Sequence, residues 1–383
     1  MKTAIVSDTF PPDINGVAMT LERLAAGLIA RGHEVEVIHP GLNESGGTGF
    51  SDGFREVCVP GFPLPRYPFA RLGLPRPVFL KRRWAQWRPE ALYVATEGML
   101  GISAMHAAHS LGIPVVSGYH THFPQYLSGY RLGLLQPVLV RYLRRLHNAT
   151  RCTLVPTEET RRQLAARGFR NLEILERGVD TDLFHPVRRD WALRRHWGAG
   201  PADLVMLYVG RLAAEKNLAP VFESWETARR QTPGTKLVIV GDGPQRAEWE
   251  ARHPGARFTG FLTGLDLAAA YASSDLLLFP SLTETFGNVL LEAMASGVVT
   301  VSHHLAASRR FVEPGINGYA ACQESGDAFQ RQVFRALRER RRWPQTAEAA
   351  CCTVRPLSWE RITESFAGHL HRAATGPGLP LAA

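Results

Sequence analysis

The sequence predicts an α/β protein with two Rossmann-like domains, each built on a doubly wound parallel sheet and facing the other across a cleft. A chain of 383 residues is longer than one hydrophobic core usually supports. Short apolar runs alternate with stretches of helical periodicity, which is the order of a parallel sheet with covering helices. The alternation pauses near residues 184–187 and then starts again, which favours two such domains.

The first domain is predicted over residues 1–186. "KTAIVSDTF" is a short apolar strand, "TLERLAAGLIARGH" has helical spacing with Gly32 as its stop, and "EVEVIHP" is the next strand. Further strands follow in "ALYVAT", "PVVSGYH" and "CTLVPT". In sheets of this kind, ligands bind beyond the carboxyl ends of the strands.

The second domain is predicted over residues 187–356. Its strands are "DLVMLYVGRL", "KLVIVGDGP", "RFTGF", "LLLFPS" and "VVTVS", with a helix through "APVFESWETARRQ". The last helical stretch, "SWERITESFAGHLHR", has no strand after it. Residues 357–383 are therefore expected to form a helix that packs back across the domains, followed by a frayed tail.

Composition limits the class of protein. Asp8 interrupts the first apolar run, so no secretory leader is expected, and no run of 18 uncharged apolar residues predicts a membrane span. The five cysteines show no metal-ligand spacing and are interpreted as reduced, mostly buried thiols of a cytoplasmic protein.

The formal charge of +9 is unevenly distributed along the chain. Residues 57–157 contain twelve Lys or Arg and two acids, a balance of 12 − 2 = +10. This asymmetry indicates an anionic partner for the first half, whether nucleic acid, anionic lipid or a phosphorylated substrate.

Two acids in "PSLTETFGNVLLEAMASG" suggest a binding site. Glu284 follows the strand "LLLFPS", and Glu292 lies one to two turns into the next helix. The start of that helix directs the backbone amides of Phe286, Gly287 and Asn288 toward a ligand, because a helix N-terminus favours anions and hydroxyls. Either acid alone would more often be a solvated helical carboxylate.

The combination resembles a known family. The E-x7-E element, "SDTFPPDINGVAMTLERLAAGLIARGHEV", "GYHTHFPQY", "RGVDTDLFHP" and "VGRLAAEKNL" resemble, in this order, motifs of the retaining GT-B glycosyltransferases of family 4. The resemblance covers nearly the whole chain. It implies transfer of a hexosyl unit from a UDP- or GDP-sugar to a hydroxyl, with the nucleotide-sugar as a substrate and no cofactor or metal.

The resemblance also implies roles for single residues at the donor. Arg211 and Lys216 match the pair that neutralises the donor diphosphate, a task suited to a guanidinium fork and a mobile ammonium. Glu284 matches the acid that holds sugar hydroxyls, and Glu292 matches the acid that binds the ribose. Leu262 falls where the nucleobase lies against backbone.

The first domain contributes the remaining matched residues. His120 matches the histidine that sits beside the reacting sugar, and the amides of Asn15, Gly16 and Val17 match the segment that completes the cleft near the diphosphate. One region departs from the pattern: "HHLAASRRF" stands where many relatives carry a Gly-Gly pair. That departure leaves the preferred base and sugar open.

Three other classes compete with a glycosyltransferase. A Rossmann dehydrogenase lacks its glycine-rich fingerprint after the first strand. A GT-B sugar-nucleotide epimerase is closer in fold, but the E-x7-E element and "EKNL" favour transfer. A basic module that binds nucleic acid would account for the charge alone.

The basic segments suggest where the acceptor comes from. In "LLQPVLVRYLRRLH", Leu135 and four further apolar residues share one helical face, and Arg141, Arg144 and Arg145 share the other. Residues 66–88 add seven cations, including Lys81, Arg82 and Arg83. An ordinary solvated face is the alternative. The membrane hypothesis is a cytoplasmic enzyme that visits the inner membrane face and takes a lipid acceptor from it.

Overall fold

The computed structural model describes residues 1–13, 15–41, 52–64, 67–120, 136–322 and 325–376, with backbone only for 64 and 67–70. The chain forms two compact units. The first contains the described residues up to Gly178 and those from Trp359 onward, and the second contains Val179–Ser358. The predicted α/β class with two parallel-sheet domains is confirmed.

The first unit is built on a seven-stranded parallel sheet in the order β3-β2-β1-β6-β7-β8-β9. Its strands are β1 (Lys2–Val6), β2 (Glu34–Pro40), β3 (Phe54–Val59), β6 (Ala91–Val94), β7 (Val115–Gly118), β8 (Cys152–Val155) and β9 (Leu172–Ile174). An antiparallel pair, β4 (Gly61–Leu64) and β5 (Tyr67–Gly73), stands outside this sheet.

Helices cover both faces of the first sheet. Their bounds are α1 (Gly16–Ala30), α2 (Pro77–Trp87), α3 (Met99–Ser110), α4 (Gln136–Asn148), α5 (Glu158–Ala166) and, from the far end of the chain, α14 (Trp359–Thr375). Side chains from α2, α3 and α4 share one core cluster, and those from α1 and α14 share the cluster on the other face.

The C-terminal helix completes the core of the first unit. Phe366 of α14 is fully buried, and its ring centroid lies 4.8 Å from that of Tyr93 on β6. A Cβ at Gly27 of α1 would lie 2.4 Å from the Thr363 hydroxyl, so the two helices approach closely where glycine stands. The helix therefore packs on the first unit, which the sequence left undecided.

The second unit repeats the design with six parallel strands in the order β12-β11-β10-β13-β14-β15. The strands are β10 (Val205–Val209), β11 (Lys236–Val240), β12 (Arg257–Gly260), β13 (Leu276–Phe279), β14 (Val299–His303) and β15 (Tyr319–Ala321). Alternating residues of β10 enter opposite core clusters, as expected for a sheet covered on both faces.

The helices of the second unit lie between its strands and after them. They are α6 (Trp191–His196), α7 (Ala219–Gln231), α8 (Arg246–Arg252), α9 (Gly264–Ala272), α10 (Asn288–Ala295), α11 (Ala306–Phe311), α12 (Gly326–Arg338) and α13 (Trp343–Val354). The unit begins at Val179 rather than at the predicted 187. Val179 and Phe184 are buried in its core, so the linker region belongs to this unit.

All five cysteines are free thiols. Cys58, Cys152 and Cys351 are half-buried, and Cys322 and Cys352 are exposed. The prediction of mostly buried thiols is therefore wrong, because the small side chains lie at the margins of the cores. Within the described residues, every helix is too short or too polar to span a bilayer.

Candidate functional site

Strand order locates the candidate donor site in the second unit. Along the sheet, the chain runs outward from β10 through β11 to β12 and then returns to place β13 beside β10. At such a reversal, the loops after the two adjacent strands diverge and leave a crevice at their carboxyl ends. Arg211 and Lys216 follow β10, and Glu284 follows β13.

The loops after β10 and β13 are bonded to each other. The Lys216 ammonium forms an ion pair with the Glu284 carboxylate, and both side chains are less than one-fifth exposed. Asn217 Nδ2 donates to the Pro280 carbonyl at 3.3 Å, and Thr283 Oγ1 donates to the Glu215 carbonyl at 3.1 Å. The structure thus brings two of the predicted catalytic residues together.

Arg211 follows the same strand as Lys216, and its side chain is 38% exposed. Its Nη2 is 3.6 Å from Glu215 Oε1, and its carbonyl accepts from the buried Tyr208 hydroxyl at 3.0 Å. The backbone behind it is closely packed, since a Cβ at Gly241 would lie 2.0 Å from the Gly210 carbonyl oxygen. A guanidinium and an ammonium therefore both follow the carboxyl end of one strand. Two such cations are suited to binding a diphosphate.

The start of α10 has the geometry that the sequence predicts. Gly287 precedes the helix with φ +98°, a left-handed conformation that favours glycine, and Asn288 is the first helical residue. Phe286 is buried, and its carbonyl accepts from Ala307 N at 2.9 Å. Leu262 is half-buried and packs against the same core cluster. The helix N-terminus can bind an anion or hydroxyls.

Glu292 lies on the second turn of α10 with a partner that the sequence did not suggest. The Tyr271 hydroxyl of α9 donates to Glu292 Oε2 at 2.8 Å. Burial raises the pKa of Glu292 to about 7, and the tyrosine bond opposes this shift. A pairing between residues 21 positions apart on two helices has no signature in the local sequence.

His120 lies just after β7 in the first unit and is buried. Its Nε2 is 2.7 Å from the Tyr93 hydroxyl, and Arg177 Nη2 bonds to its Nδ1. An arginine only donates, so Nδ1 accepts and the ring carries its proton on Nε2. Burial, with the Arg177 charge next, holds the pKa of His120 well below its usual range. Both ring nitrogens of His120 thus have partners. A hydrogen bond from His120 to a sugar would therefore have to replace one of these two bonds.

Asn15 is the N-cap of α1. Its Oδ1 accepts from Val17 N and Ala18 N, each at 3.0 Å, and its Nδ2 donates to Thr9 Oγ1 at 2.7 Å. Gly16 is the first helical residue. Because the Val17 amide is already bonded to the cap, only part of the predicted amide set is available to a ligand without rearrangement.

A buried carboxylate marks the strand-order reversal of the first sheet. Asp8, after β1, accepts from Gly73 N and from Thr96 Oγ1, both at 2.8 Å. Burial raises the pKa of Asp8. A Cβ at Gly98 would lie 2.2 Å from Asp8 Oδ2, so this corner tolerates only glycine there. Asp8 is not among the site residues predicted from the sequence.

The basic faces of α2 and α4 are mostly as the sequence predicts. Arg141, Arg144 and Arg145 are exposed, whereas Leu143 and Leu146 are buried. Other members of the apolar face, Leu139 and Tyr142, are half-buried. Leu135, Arg66 and residues 121–135, which include most of "HTHFPQY", lie outside the described residues.

Arg83 is an exception among the predicted surface cations. Lys81 and Arg82 are exposed, but Arg83 is one-third exposed and its Nη2 lies 2.6 Å from Oε2 of the fully buried Glu36. Its assignment to a solvent-facing basic patch is wrong, because its charge neutralises a carboxylate of the core.

The departure in "HHLAASRRF" has a clear backbone consequence. Ala306 adopts φ +47°, a left-handed conformation in which glycine is favoured, and is 8% exposed. The backbone thus keeps a glycine-type conformation and adds a methyl group. That methyl group limits how closely a ligand can approach the backbone at Ala306.

Comparison with known proteins identifies the family and agrees with the fold. Residues 14–183 match Glycosyltransferase Family 4, and residues 203–339 match Glycosyl transferases group 1. The chain is 32% identical over 372 residues, 96% of both chains, to a GDP-mannose-dependent alpha-mannosyltransferase of Mycobacterium tuberculosis (strain CDC 1551 / Oshkosh).

Two further relatives extend the comparison. A GDP-mannose-dependent alpha-(1-6)-phosphatidylinositol dimannoside mannosyltransferase of Mycobacterium tuberculosis (strain ATCC 25177 / H37Ra) is 27% identical, with 96% of this chain and 95% of that chain covered. The solved structure of sucrose-phosphate synthase from Thermosynechococcus elongatus superposes with a TM-score of 0.77 at 18% identity, over 97% and 98% of the two chains. The chain belongs to the GT-B glycosyltransferases of family 4, the glycosyl transferases of group 1.

Proposed function

We propose that this glycosyltransferase moves a mannosyl unit from GDP-mannose to a hydroxyl of a lipid acceptor, with retention of the α configuration. The observation that carries the proposal is the ion pair of Lys216 with Glu284 at the strand-order reversal of the second sheet, with Arg211 on the same loop as Lys216. The donor choice follows the relative that is 32% identical over 96% of this chain.

The donor end of the reaction is assigned to the second unit. Arg211 and Lys216 neutralise the diphosphate, Glu284 accepts hydrogen bonds from the sugar hydroxyls, and Glu292 accepts them from the ribose. Lys216 is already paired with Glu284, so the diphosphate and sugar sites adjoin. When the donor binds, the ammonium gains a second anion.

The chemical step needs no side-chain nucleophile. The bond between the sugar C1 and the diphosphate oxygen breaks, and the acceptor oxygen forms a bond to C1 on the same face. The acceptor proton passes to the departing diphosphate oxygen, which leaves as GDP. Two fixed cations stabilise the charge that grows on this leaving group, which is the type of preorganised electrostatics that lowers such barriers.

No divalent cation is required in this proposal, because Arg211 and Lys216 supply the positive charge at the diphosphate. Turnover should persist after dialysis against EDTA. Adding Mg²⁺ or Mn²⁺ afterwards should not increase it. A strict requirement for either ion would contradict this part of the proposal.

The acceptor is proposed to reach the enzyme from an anionic membrane surface. A groove of about 650 Å³ along α2 is lined by Arg76 and Arg82, and by Val78, which is 62% exposed. On α4, Val138 is 67% exposed near the three arginines. Cations beside exposed apolar side chains suit a lipid headgroup region. The enzyme is thus proposed to be cytoplasmic and peripheral, and to bind no nucleic acid.

A donor panel tests the proposal. GDP-mannose and GDP should raise the melting temperature of the enzyme more than UDP-glucose and UDP, because a ligand that binds only the folded state stabilises it by mass action. Arg211→Ala should reduce the shift produced by GDP. Equal shifts with all four compounds, or none, would contradict the assigned donor.

A further inference from the structure

Three metal-ligand side chains meet on one face of the first sheet, within the described residues and outside the donor machinery. His39 lies on β2, and Glu56 and Cys58 lie on β3. His39 and Cys58 are register partners of the parallel pair, and Glu56 precedes Cys58 by two residues. Side chains two apart on a strand share a face, so pairing of the strands assembles the triad.

The three ligand atoms are already close. His39 Nε2 lies 2.8 Å from Glu56 Oε1 and 3.9 Å from Cys58 Sγ, and all three atoms are within 4.8 Å of one another. A tetrahedral Zn²⁺ would separate nitrogen from oxygen by about 3.3 Å and nitrogen from sulfur by about 3.6 Å. The nitrogen–sulfur distance thus differs from that geometry by about 0.3 Å, and the nitrogen–oxygen distance differs by about 0.5 Å.

The environment of His39 favours a metal ligand. Its Nδ1 is 3.2 Å from the Pro40 carbonyl, which fixes Nδ1 as the donor and directs Nε2 toward Glu56 and Cys58. In metal-binding histidines, the ring nitrogen that does not bind the metal usually donates a hydrogen bond in this way, often to a backbone carbonyl. The His39 and Glu56 side chains are 6% and 9% exposed, and the Phe10 ring lies 5.3 Å from the imidazole.

We propose that His39, Glu56 and Cys58 bind a Zn²⁺-class cation, which joins the edge strand β3 to β2. A nitrogen, an oxygen and a sulfur ligand match zinc and not the oxygen-only preference of Mg²⁺ or Ca²⁺. With three protein ligands, a water completes the shell.

Zn²⁺ binds the neutral imidazole of His39 and the thiolate of Cys58, so metal binding displaces the proton of the Cys58 thiol. Burial and the nearby Glu56 raise the pKa of Cys58, so the free thiol is protonated at neutral pH.

The test uses the full chain, stripped with EDTA and titrated with Co²⁺ or Zn²⁺. Wild type should bind one equivalent, release protons, show thiolate-to-cobalt charge-transfer absorption and melt at a higher temperature with Zn²⁺. Cys58→Ala should lose the absorption and the shift, and Glu56→Gln should weaken binding. Cys352→Ser, which removes an exposed thiol, should change nothing.

Two results would overturn the inference. Absence of a charge-transfer band in folded wild type would leave His39 and Glu56 as a plain ion pair. Equal binding by wild type and Cys58→Ala would place the metal elsewhere. Both are independent of the donor chemistry, because the readouts are spectroscopic and thermal.

Discussion

At the scale of single residues, the site combines predicted side chains with unpredicted partners. The pattern around Glu284 and Glu292 indicates a site only together with the other ordered motifs, because either acid alone would more often be a solvated helical carboxylate. The partners Tyr271, Tyr93 and Arg177 could not be predicted, since each contact joins distant parts of the chain. Only folding brings such pairs together.

Glu284→Gln is expected to reduce kcat by about 10- to 150-fold, corresponding to a lost charged hydrogen bond of roughly 1.5–3 kcal/mol. The melting temperature should fall only modestly, because glutamine keeps a hydrogen-bond acceptor for Lys216 at this mostly buried position. Steady-state release of GDP measures the effect. Glu364→Gln, an exposed carboxylate of α14, is the matched control, and equal rates in the two variants would refute the role.

Glu292 should make donor binding depend on pH. With a pKa of about 7, its carboxylate is ionised mainly above neutrality, so wild-type affinity for GDP-mannose should rise between pH 6 and 8. Glu292→Gln should bind more weakly and lose this dependence. Calorimetric titration at the two pH values measures it, and a parallel rise in the variant would contradict the assignment.

The raised pKa of Glu292 also predicts how the stability of the folded protein changes with pH. The folded pKa of about 7 exceeds the ordinary 4.5, so the folded state holds the proton more tightly. The stabilisation that comes from protonated Glu292 is present at low pH and is lost as pH rises from about 4.5 through 7. In urea unfolding, the free energy of unfolding of Glu292→Gln should increase relative to that of wild type between pH 5 and 8. That of Glu364→Gln should not.

Ala306→Gly should be neutral or stabilising by up to about 1 kcal/mol, because it relieves a left-handed alanine at the cost of one buried methyl group. The neighbouring Ala307, fully buried in the same helix, is the matched control. Ala307→Gly should destabilise by about 1 kcal/mol or more. Thermal melts compare the two, and equal losses would show that Ala306 is not strained.

At the scale of elements, long periodic segments could be predicted and short ones could not. Burial on α4 follows its apolar stripe, as helical spacing requires. In contrast, β3, β4 and β5 lie in a stretch rich in Pro and Gly that gives little strand pattern. The partner of α14 was also unpredictable, because amphipathicity defines a buried face but not what covers it.

The exposed face of α4 should bind anionic vesicles. Replacing Arg141, Arg144 and Arg145 with Gln should weaken co-sedimentation with phosphatidylglycerol-containing liposomes, at about 1 kcal/mol per cation near the surface. The loss should shrink as salt rises, because screening weakens the attraction.

The matched control removes three exposed arginines from the second unit: Arg338, Arg341 and Arg342. It lowers net charge equally and should leave vesicle binding unchanged. If both triple variants lose binding to the same extent, net charge and not α4 is responsible. If neither does, the membrane hypothesis fails.

At the scale of the whole molecule, the chain reverses direction across each sheet after the third strand, with a seventh strand in the first sheet. The repeated strand and helix pattern predicts two parallel sheets but not this order, because β3 gives little strand pattern. The beginning of the second unit at Val179 could not be predicted, since a linker and the first turn of a core look alike in sequence. The donor residues could be predicted from ordered motifs because each motif is local in sequence. The proposed metal-ligand triad could not be predicted from local spacing, because its three members lie on two strands.

The central claim is transfer of mannose from GDP-mannose with retention. The most direct measurement follows the anomeric proton by NMR while the enzyme acts on GDP-mannose in the presence of lipid acceptor. The signal of the α-linked donor should be replaced by that of an α-linked product, with release of GDP, and Glu284→Gln should slow both. A β-linked product, or an unchanged donor in the presence of folded wild type, would contradict the account.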